Sequence, residues 1–209
     1  ERYQTLLQKE QPEAFQELEG IAQGAELPVN TIVALNAPHE LRSVEGCTTI
    51  VALPGATRSG HTLIGKNYDE PYQRLQTDAL FVIASDSQPR FLTLASVGTL
   101  TRDGINEKGL VLLGNGLTGP GDGQVPGVPF PILRRHLLAQ STPDGVRQTL
   151  EALPRSHACN YTIASASGQA VALEASVDRV FPVAPCNGLL IHTNHFISPD
   201  AGETNGVQN

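Results

Sequence analysis

The hydrophobic pattern of this chain changes period near residue 47. Before it, Leu6, Leu7, Phe15, Leu18, Ile21 and Ala22 recur at three- and four-residue spacing among Glu and Gln. Such spacing lays the apolar side chains along one stripe and predicts an amphipathic helix. Pro12 lacks the amide hydrogen that a helix interior needs, so the stripe divides into two helical pieces. Gly24 and Pro28 end the second piece, and Asn30 stands as N-cap of a short helix over 31–41.

From residue 47 the β-branched and leucine-rich runs read as strands, at 47–53, 62–66, 80–85, 90–97 and 110–114. Pro-Gly, Ser-Gly, Asp-Ser and Asn-Glu-Lys-Gly turns separate them. A Gly- and Pro-rich stretch over 114–131 is too long for an ordinary connection and is expected to line a site. Two helices follow at 132–140 and 143–153, the second with Pro143 in its first turn after Ser141 and Thr142. Strands resume at 160–166, 170–176, 179–183 and 189–192. The order is helices, strands, helices, strands, with hairpin-length turns. It predicts an α+β fold of stacked antiparallel sheets with segregated helices rather than alternating βα units. Residues 198–209 are rich in Gly, Asn and Asp and carry no core pattern, so the chain is expected to be C-terminally incomplete.

Composition narrows the function classes. The 209 residues include 14 Lys and Arg against 21 Asp and Glu, a net charge of −7. An acidic chain without a basic stripe is not expected to bind nucleic acid or an anionic membrane surface. No apolar run approaches the roughly 20 residues a spanning helix requires. No basic-then-apolar leader is seen, so a cytoplasmic setting is expected. Cys47, Cys159 and Cys186 form neither a disulfide framework nor a C-x-x-C motif, which suits a reducing compartment.

The candidate chemistry gathers at Glu45-Gly46-Cys47-Thr48-Thr49, where the helical segment meets the first strand. A cysteine there can be a small core hydrophobe. It can also be a nucleophile: Gly46 leaves the preceding carbonyl sterically open, and two threonines supply hydroxyls. A thiol so placed can attack the Gly46 carbonyl, form a thioester by N-to-S shift and hydrolyse to free a new N-terminus. The α-amine would titrate near ~8 and the thiol near ~8.5, so the amine is matched to take the thiol proton.

Cys47-Thr48-Thr49-Ile50 followed by Gly65-Lys66-Asn67-Tyr68-Asp69 resembles the start of the catalytic chain in the isopenicillin N acyltransferase family of N-terminal nucleophile hydrolases. Glu19-Gly20-Ile21-Ala22-Gln23-Gly24-Ala25 and Ala34-Leu35-Asn36 resemble its pro-segment. Gly104-Ile105-Asn106-Glu107-Lys108-Gly109-Leu110 and His192-Thr193-Asn194-His195-Phe196 follow in the family's order. The resemblance implies a four-layer αββα sandwich, cut before Cys47 into a helical pro-segment of residues 1–46 and a nucleophile-bearing chain of residues 47–209, together one domain. It implies that Cys47 acts in both self-cleavage and turnover, that Asp69 holds the new α-ammonium, and that Asn194 offers its amide N–H to the oxyanion. From the residues alone, Asp69 also reads as a turn aspartate before Pro71, and Asn194 as a strand-end residue satisfying loop backbone. Asn115 is a second oxyanion donor or pocket residue, or half of a type I′ Asn-Gly turn. Thr49 relays a proton, or is simply a good strand former. The family also has a late Ser/Cys-Arg-His stretch whose arginine joins the active site, beyond the position of Asn209.

Rival readings use the same residues. His192, His195 and Cys186 can be drawn as metal ligands, but three-residue spacing on a strand points the histidines to opposite faces. A papain-like pairing of Cys47 with His157, His192 or His195 requires a helix N-terminus at the cysteine, whereas Cys47 leads into a strand. A small-molecule-binding domain with Cys47 as a structural thiol is a third reading. A bile-salt or penicillin V hydrolase-like amidase is the fourth, against which the long helical segment before Cys47 argues. The expected protein is therefore a self-processing cysteine amidohydrolase or acyltransferase acting on linear amides, with no cofactor and no metal. Its partners would be a small amide or acyl thioester and its own cleaved pro-segment, with homo-oligomers left open. Leu117, Val125, Val128 and Phe130 hint at a partly apolar pocket in the Gly-rich loop.

Overall fold

The computed structural model describes residues 2–37, 46–70 and 72–201. It opens with α1 (Arg2–Glu10), α2 (Pro12–Gly24) and α3 (Val29–Leu35). Pro12 occupies the first turn of α2, where its missing N–H costs nothing. The third helix starts earlier than the sequence suggests. Pro28 rather than Asn30 is its N-cap, with φ −59° and ψ 138°, and no side chain caps it. The fixed φ of Pro28 turns the chain into the helix, and the Thr31 amide donates to the Pro28 carbonyl. Residues 38–41 of the expected helix, Glu45 and residues 202–209 lie outside the described residues.

A seven-stranded antiparallel sheet runs β3 (Asp78–Ile83), β4 (Phe91–Ser96), β5 (Asp103–Asn106), β6 (Leu110–Gly116), β7 (Cys159–Ser165), β8 (Ala170–Ala175) and β9 (Val180–Val183), in that spatial order. Helices α4 (Phe130–Leu137) and α5 (Pro143–Ala152) join α1–α3 on one face of it. Alternation decides what each strand buries there. Leu110 and Leu112 of β6, and Tyr161 and Ile163 of β7, share a core with Leu18, Ile32, Ile132, Leu133 and Leu150 of the helices. Strand β5 has the sequence Asp-Gly-Ile-Asn, poor in strand formers, and the sequence reading lacks it. It is held from both sides by pairing with β4 and β6.

The second sheet has three strands in the order β10 (Leu189–His192), β1 (Gly46–Ala52) and β2 (Leu63–Asp69), all antiparallel. Val51 and Leu190 meet Ala164 and Ala172 of the larger sheet to close the space between the layers. The outward positions Ile50, Leu63, Leu189 and Ile191 are exposed, and among the described residues no helix covers them. No helix among the described residues is long and apolar enough to cross a membrane.

Leu112 is fully buried between β6 and the helices. Leu112→Ala should lower unfolding free energy by about 2–5 kcal/mol, read as a lower urea midpoint with an unchanged slope.

Candidate active site

Strand β1 gathers the site because it is paired on both sides. Its register places Gly46 opposite Asp69, Cys47 opposite Tyr68 and Thr49 opposite Lys66 on one side, and Thr49 opposite His192 on the other. Cys47, Thr49 and Val51 alternate inward, toward the larger sheet, and Cys47 is 2% exposed. Thr48 and Ile50 point the other way and are exposed.

Three residues expected at the site come together around the head of β1. The Cys47 amide donates to Asn194 Oδ1 at 2.7 Å, and Asn194 Nδ2 donates to the Gly116 carbonyl at 2.9 Å. The β1–β10 ladder stops at Thr49 and His192, so the Asn194 side chain takes the place that a strand carbonyl would have beyond it. In this arrangement Asn194 meets the Cys47 amide through its oxygen and the β6 end through its amide nitrogen. Asp69 packs on Gly46: a Cβ built there would lie 2.9 Å from Asp69 Oδ2 and 3.0 Å from its Cβ. Only glycine allows that approach. Strand alternation sets this carboxylate on the face opposite the Cys47 thiol, beside the backbone of the Gly46–Cys47 junction.

Thr49 and Asn115 belong to a polar layer sealed between the sheets. Asn115 is a β6 residue opposite Asn160, not part of an Asn-Gly turn. Thr49 Oγ1 donates to Asn115 Oδ1 at 3.2 Å and lies 3.1 Å from Thr162 Oγ1. Asn115 Nδ2 donates to the His192 carbonyl at 3.2 Å, and Asn160 Nδ2 donates to Asn115 Oδ1 at 3.2 Å. All four side chains are fully buried. Thr49 is therefore more than a strand former: its hydroxyl links β1 to β6 and β7.

The sequence reading passed over Lys66. It is on the inward face of β2, directly across from Thr49, and its side chain is 4% exposed. Its Nζ donates to Asp103 Oδ2 at 3.1 Å and to the Gly114 carbonyl, and lies 3.8 Å from the Tyr68 ring centre. Burial lowers its pKa below the ordinary lysine value; Asp103 opposes that shift, Arg134 adds to it, and the charge of Cys47 opposes it. A cation thus lies within electrostatic reach of the thiol. The signal was available in the period of two: Lys66 and Tyr68 fall on the same face as Cys47 once the hairpin is paired. Tyr68 carries Lys66 on its ring and Arg102 at 4.3 Å, and its buried Oη has no hydrogen-bond partner among the described residues.

The apolar pocket expected in the Gly-rich loop is elsewhere. Leu117 packs with Phe181 and Phe196, Val128 joins the helix-side core, and Val125 is exposed. Instead, a cavity of about 410 Å³ opens between β2 and the larger sheet, walled by Ile64, Leu92, Leu94, Val111 and Leu113 together with Lys66 and Tyr68. The rival ligand sets are not assembled. Both His192 ring nitrogens are engaged, by the Thr193 carbonyl at 2.8 Å and Glu174 Oε1 at 2.7 Å. Exposed His195 bonds Thr193 Oγ1, and His157 Nδ1 pairs with Ser156 Oγ. Among the described residues no group of three His, Cys, Asp or Glu could hold a metal ion.

Comparison with known proteins bears on the fold and the family. The Caenorhabditis elegans N-acylethanolamine-hydrolyzing acid amidase ortholog superposes with a TM-score of 0.59 at 13% identity, over 78% of this chain and 74% of its own. A mutant of the conjugated bile acid hydrolase from Clostridium perfringens does so with a TM-score of 0.51 at 17% identity, over 74% of this chain and 54% of its own. Both share the N-terminal nucleophile hydrolase fold with this chain. In sequence, the acyl-coenzyme A:6-aminopenicillanic-acid-acyltransferase 40 kDa form of Emericella nidulans is 26% identical over 96% of this chain. The chain spans 57% of that relative's length. The family model described as acyl-coenzyme A:6-aminopenicillanic acid acyl-transferase matches residues 56–208, most of the chain, and the chain belongs to that family.

Proposed function

We propose that this protein cleaves its own Gly46–Cys47 bond and then uses Cys47 to carry an acyl group from a small amide or thioester to water or an amine. The observation that carries this reading is the treatment of the Cys47 nitrogen. It is held by Asn194 Oδ1 at 2.7 Å, while the Asp69 carboxylate packs on the residue just before it. Both contacts would serve a freed α-amine at Cys47 as they now serve the peptide.

In self-cleavage, Cys47 Sγ adds to the Gly46 carbonyl carbon, and the C–N bond breaks as the nitrogen takes the thiol proton. Water then splits the thioester, leaving a carboxylate on Gly46 and a thiol and amine on Cys47. The amine is positioned to accept the thiol proton in each later attack, with Asp69 and Asn194 Oδ1 receiving the hydrogens of the resulting ammonium. Turnover repeats the chemistry on an external carbonyl: Sγ forms the thioester, the leaving amine or thiol departs with the proton, and water or an amine takes the acyl group. Lys66 supplies positive charge near the developing thiolate and oxyanion. The cavity beside Lys66 and Tyr68 suits an apolar acyl group. Because α1–α3 share the core of the seven-stranded sheet, the pro-segment would stay bound after the cut.

Intact mass and N-terminal sequencing of the full-length protein test the first step. A fragment beginning Cys-Thr-Thr-Ile is expected, and Cys47→Ala should give a single uncut chain; equal cutting in that variant would refute the reading. Asp69→Asn should lower kcat/KM about ten- to a hundredfold at neutral pH without changing the fold, because the ammonium loses its counter-charge.

The lowered pKa of Lys66 sets a pH expectation. Its charge is present below its shifted pKa and is lost before pH reaches the ordinary lysine value, so activity should fall on an alkaline limb that this loss helps to set. Lys66→Arg, which keeps its charge, should move that limb upward in a kcat/KM profile. An unmoved limb would separate Lys66 from the chemistry.

A further inference from the structure

The chemistry at Cys47 leaves a buried ionisable pair unused. Glu174 of β8 and His192 of β10 bridge the two sheets, and both side chains are 0% exposed. Each His192 ring nitrogen faces an oxygen, the Thr193 carbonyl on one side and Glu174 Oε1 on the other. Glu174 does not stop there. Its Oε1 also accepts the Ile197 amide at 2.6 Å, and its Oε2 accepts the Ser198 amide at 3.0 Å. One carboxylate therefore ties down both ends of the turn 193–198, with His192 before it and two successive amides after it. Asn194 is inside that turn, and its side chain reaches the Cys47 nitrogen.

We propose that Glu174, acting through His192 and the Ile197 and Ser198 amides, is a positioning residue that sets Asn194 against the Cys47 nitrogen. A buried carboxylate is retained only when its lone pairs are occupied, and here the groups that occupy them are those that fix the turn. The β1–β10 ladder ends at Thr49 and His192, so main-chain pairing does not hold Asn194 in place. The Phe196 ring, edge-on to Phe181 at 6.2 Å, packs the turn against β9 but gives it no direction. Direction comes from the carboxylate at the ends of the turn and from the Gly116 carbonyl that Asn194 Nδ2 meets at 2.9 Å. A glutamine at the same position keeps the size and one acceptor oxygen, but turns a donor either toward the Ser198 amide or toward the Ile197 amide and the ring nitrogen. The turn should then loosen while the sheets stay paired.

The kinetic consequence rests on the reading of Cys47 as nucleophile; the structural one does not, and the test separates them. Full-length Cys47→Ala, which holds the chain uncut, is compared by amide hydrogen exchange with the same chain carrying Glu174→Gln. Exchange at position 47 should rise at least tenfold, while the Leu112 and Ile163 amides stay within twofold. Adding Asn194→Ala to both chains should erase the difference at position 47, because residues acting through one another are non-additive. Unchanged exchange at position 47, or an equal rise at Leu112 and Ile163, would overturn the proposal. If Glu174→Gln does not fold, His192→Phe, which keeps a ring but removes the donor toward Glu174, is read the same way. With Cys47 intact and an apolar acyl p-nitroanilide as substrate, Glu174→Gln should lower kcat tenfold or more with KM within twofold. That loss should vanish in the Asn194→Ala background; a loss that persists there would count against positioning. Absence of any Cys47-dependent turnover in the unsubstituted chain would refute the proposed function, and the exchange result would still decide the role of Glu174.

Discussion

The position of β1 between β2 and β10 constrains everything else at the site. An antiparallel strand paired on both sides has no freedom of register, since a slip of one residue would turn Cys47, Thr49 and Val51 outward and Thr48 and Ile50 inward. The same pairing brings Asp69 from β2 and Asn194 from beyond β10 to the first peptide of the strand, from segments that are far apart in the chain. The proposed chemistry is thus located at the point where one ladder ends and a side chain takes over its last hydrogen bond.

Behind that point the space between the sheets divides into two kinds of interior. One part is apolar, closed by Val51, Ala164, Ala172 and Leu190. The other is polar: Thr49, Asn115, Asn160 and Thr162 bond one another, and Glu174 and His192 extend the layer to the turn carrying Asn194. Burying such groups is costly unless each finds a partner, and a connected network of this kind admits few alternative arrangements. A layer that could have been packed with leucine and valine instead fixes the geometry of two side chains near Cys47.

Charge enters from the other side of β1. Lys66 is buried against Asp103, which also accepts the Gly114 amide at 2.8 Å and faces Arg134 at 3.8 Å from the helix side of the sheet. The Arg134 guanidinium occupies the space that any side chain at 114 would need, so glycine alone fits there. Helix α4 is thereby linked through β5 and β6 to the lysine on the inward face of β2, which also lines the apolar cavity.

Much of this is legible in the amino acids alone. β-Branched and leucine-rich runs place nine of the ten strands among the described residues, and Pro12 and Pro143 mark helix starts because a proline is harmless only in a first turn. The short strand Asp103–Asn106 escapes, since its formation depends on two neighbours and not on its own residues. Cys47 can be singled out from its local motif, Asp69 and Asn194 only through the family resemblance, and the structure brings all three to one peptide. Those legible features are local ones: which segments form helices or strands, which face of each is apolar, and where a thiol follows a glycine. The folded arrangement was needed to show that Lys66 shares the face of Cys47, that Asn115 is in a strand, and that Glu174 holds the turn of Asn194. Such relations depend on strand register and on contacts between residues distant in sequence, where hydrogen-bond partners are chosen by the fold and not by chain neighbours.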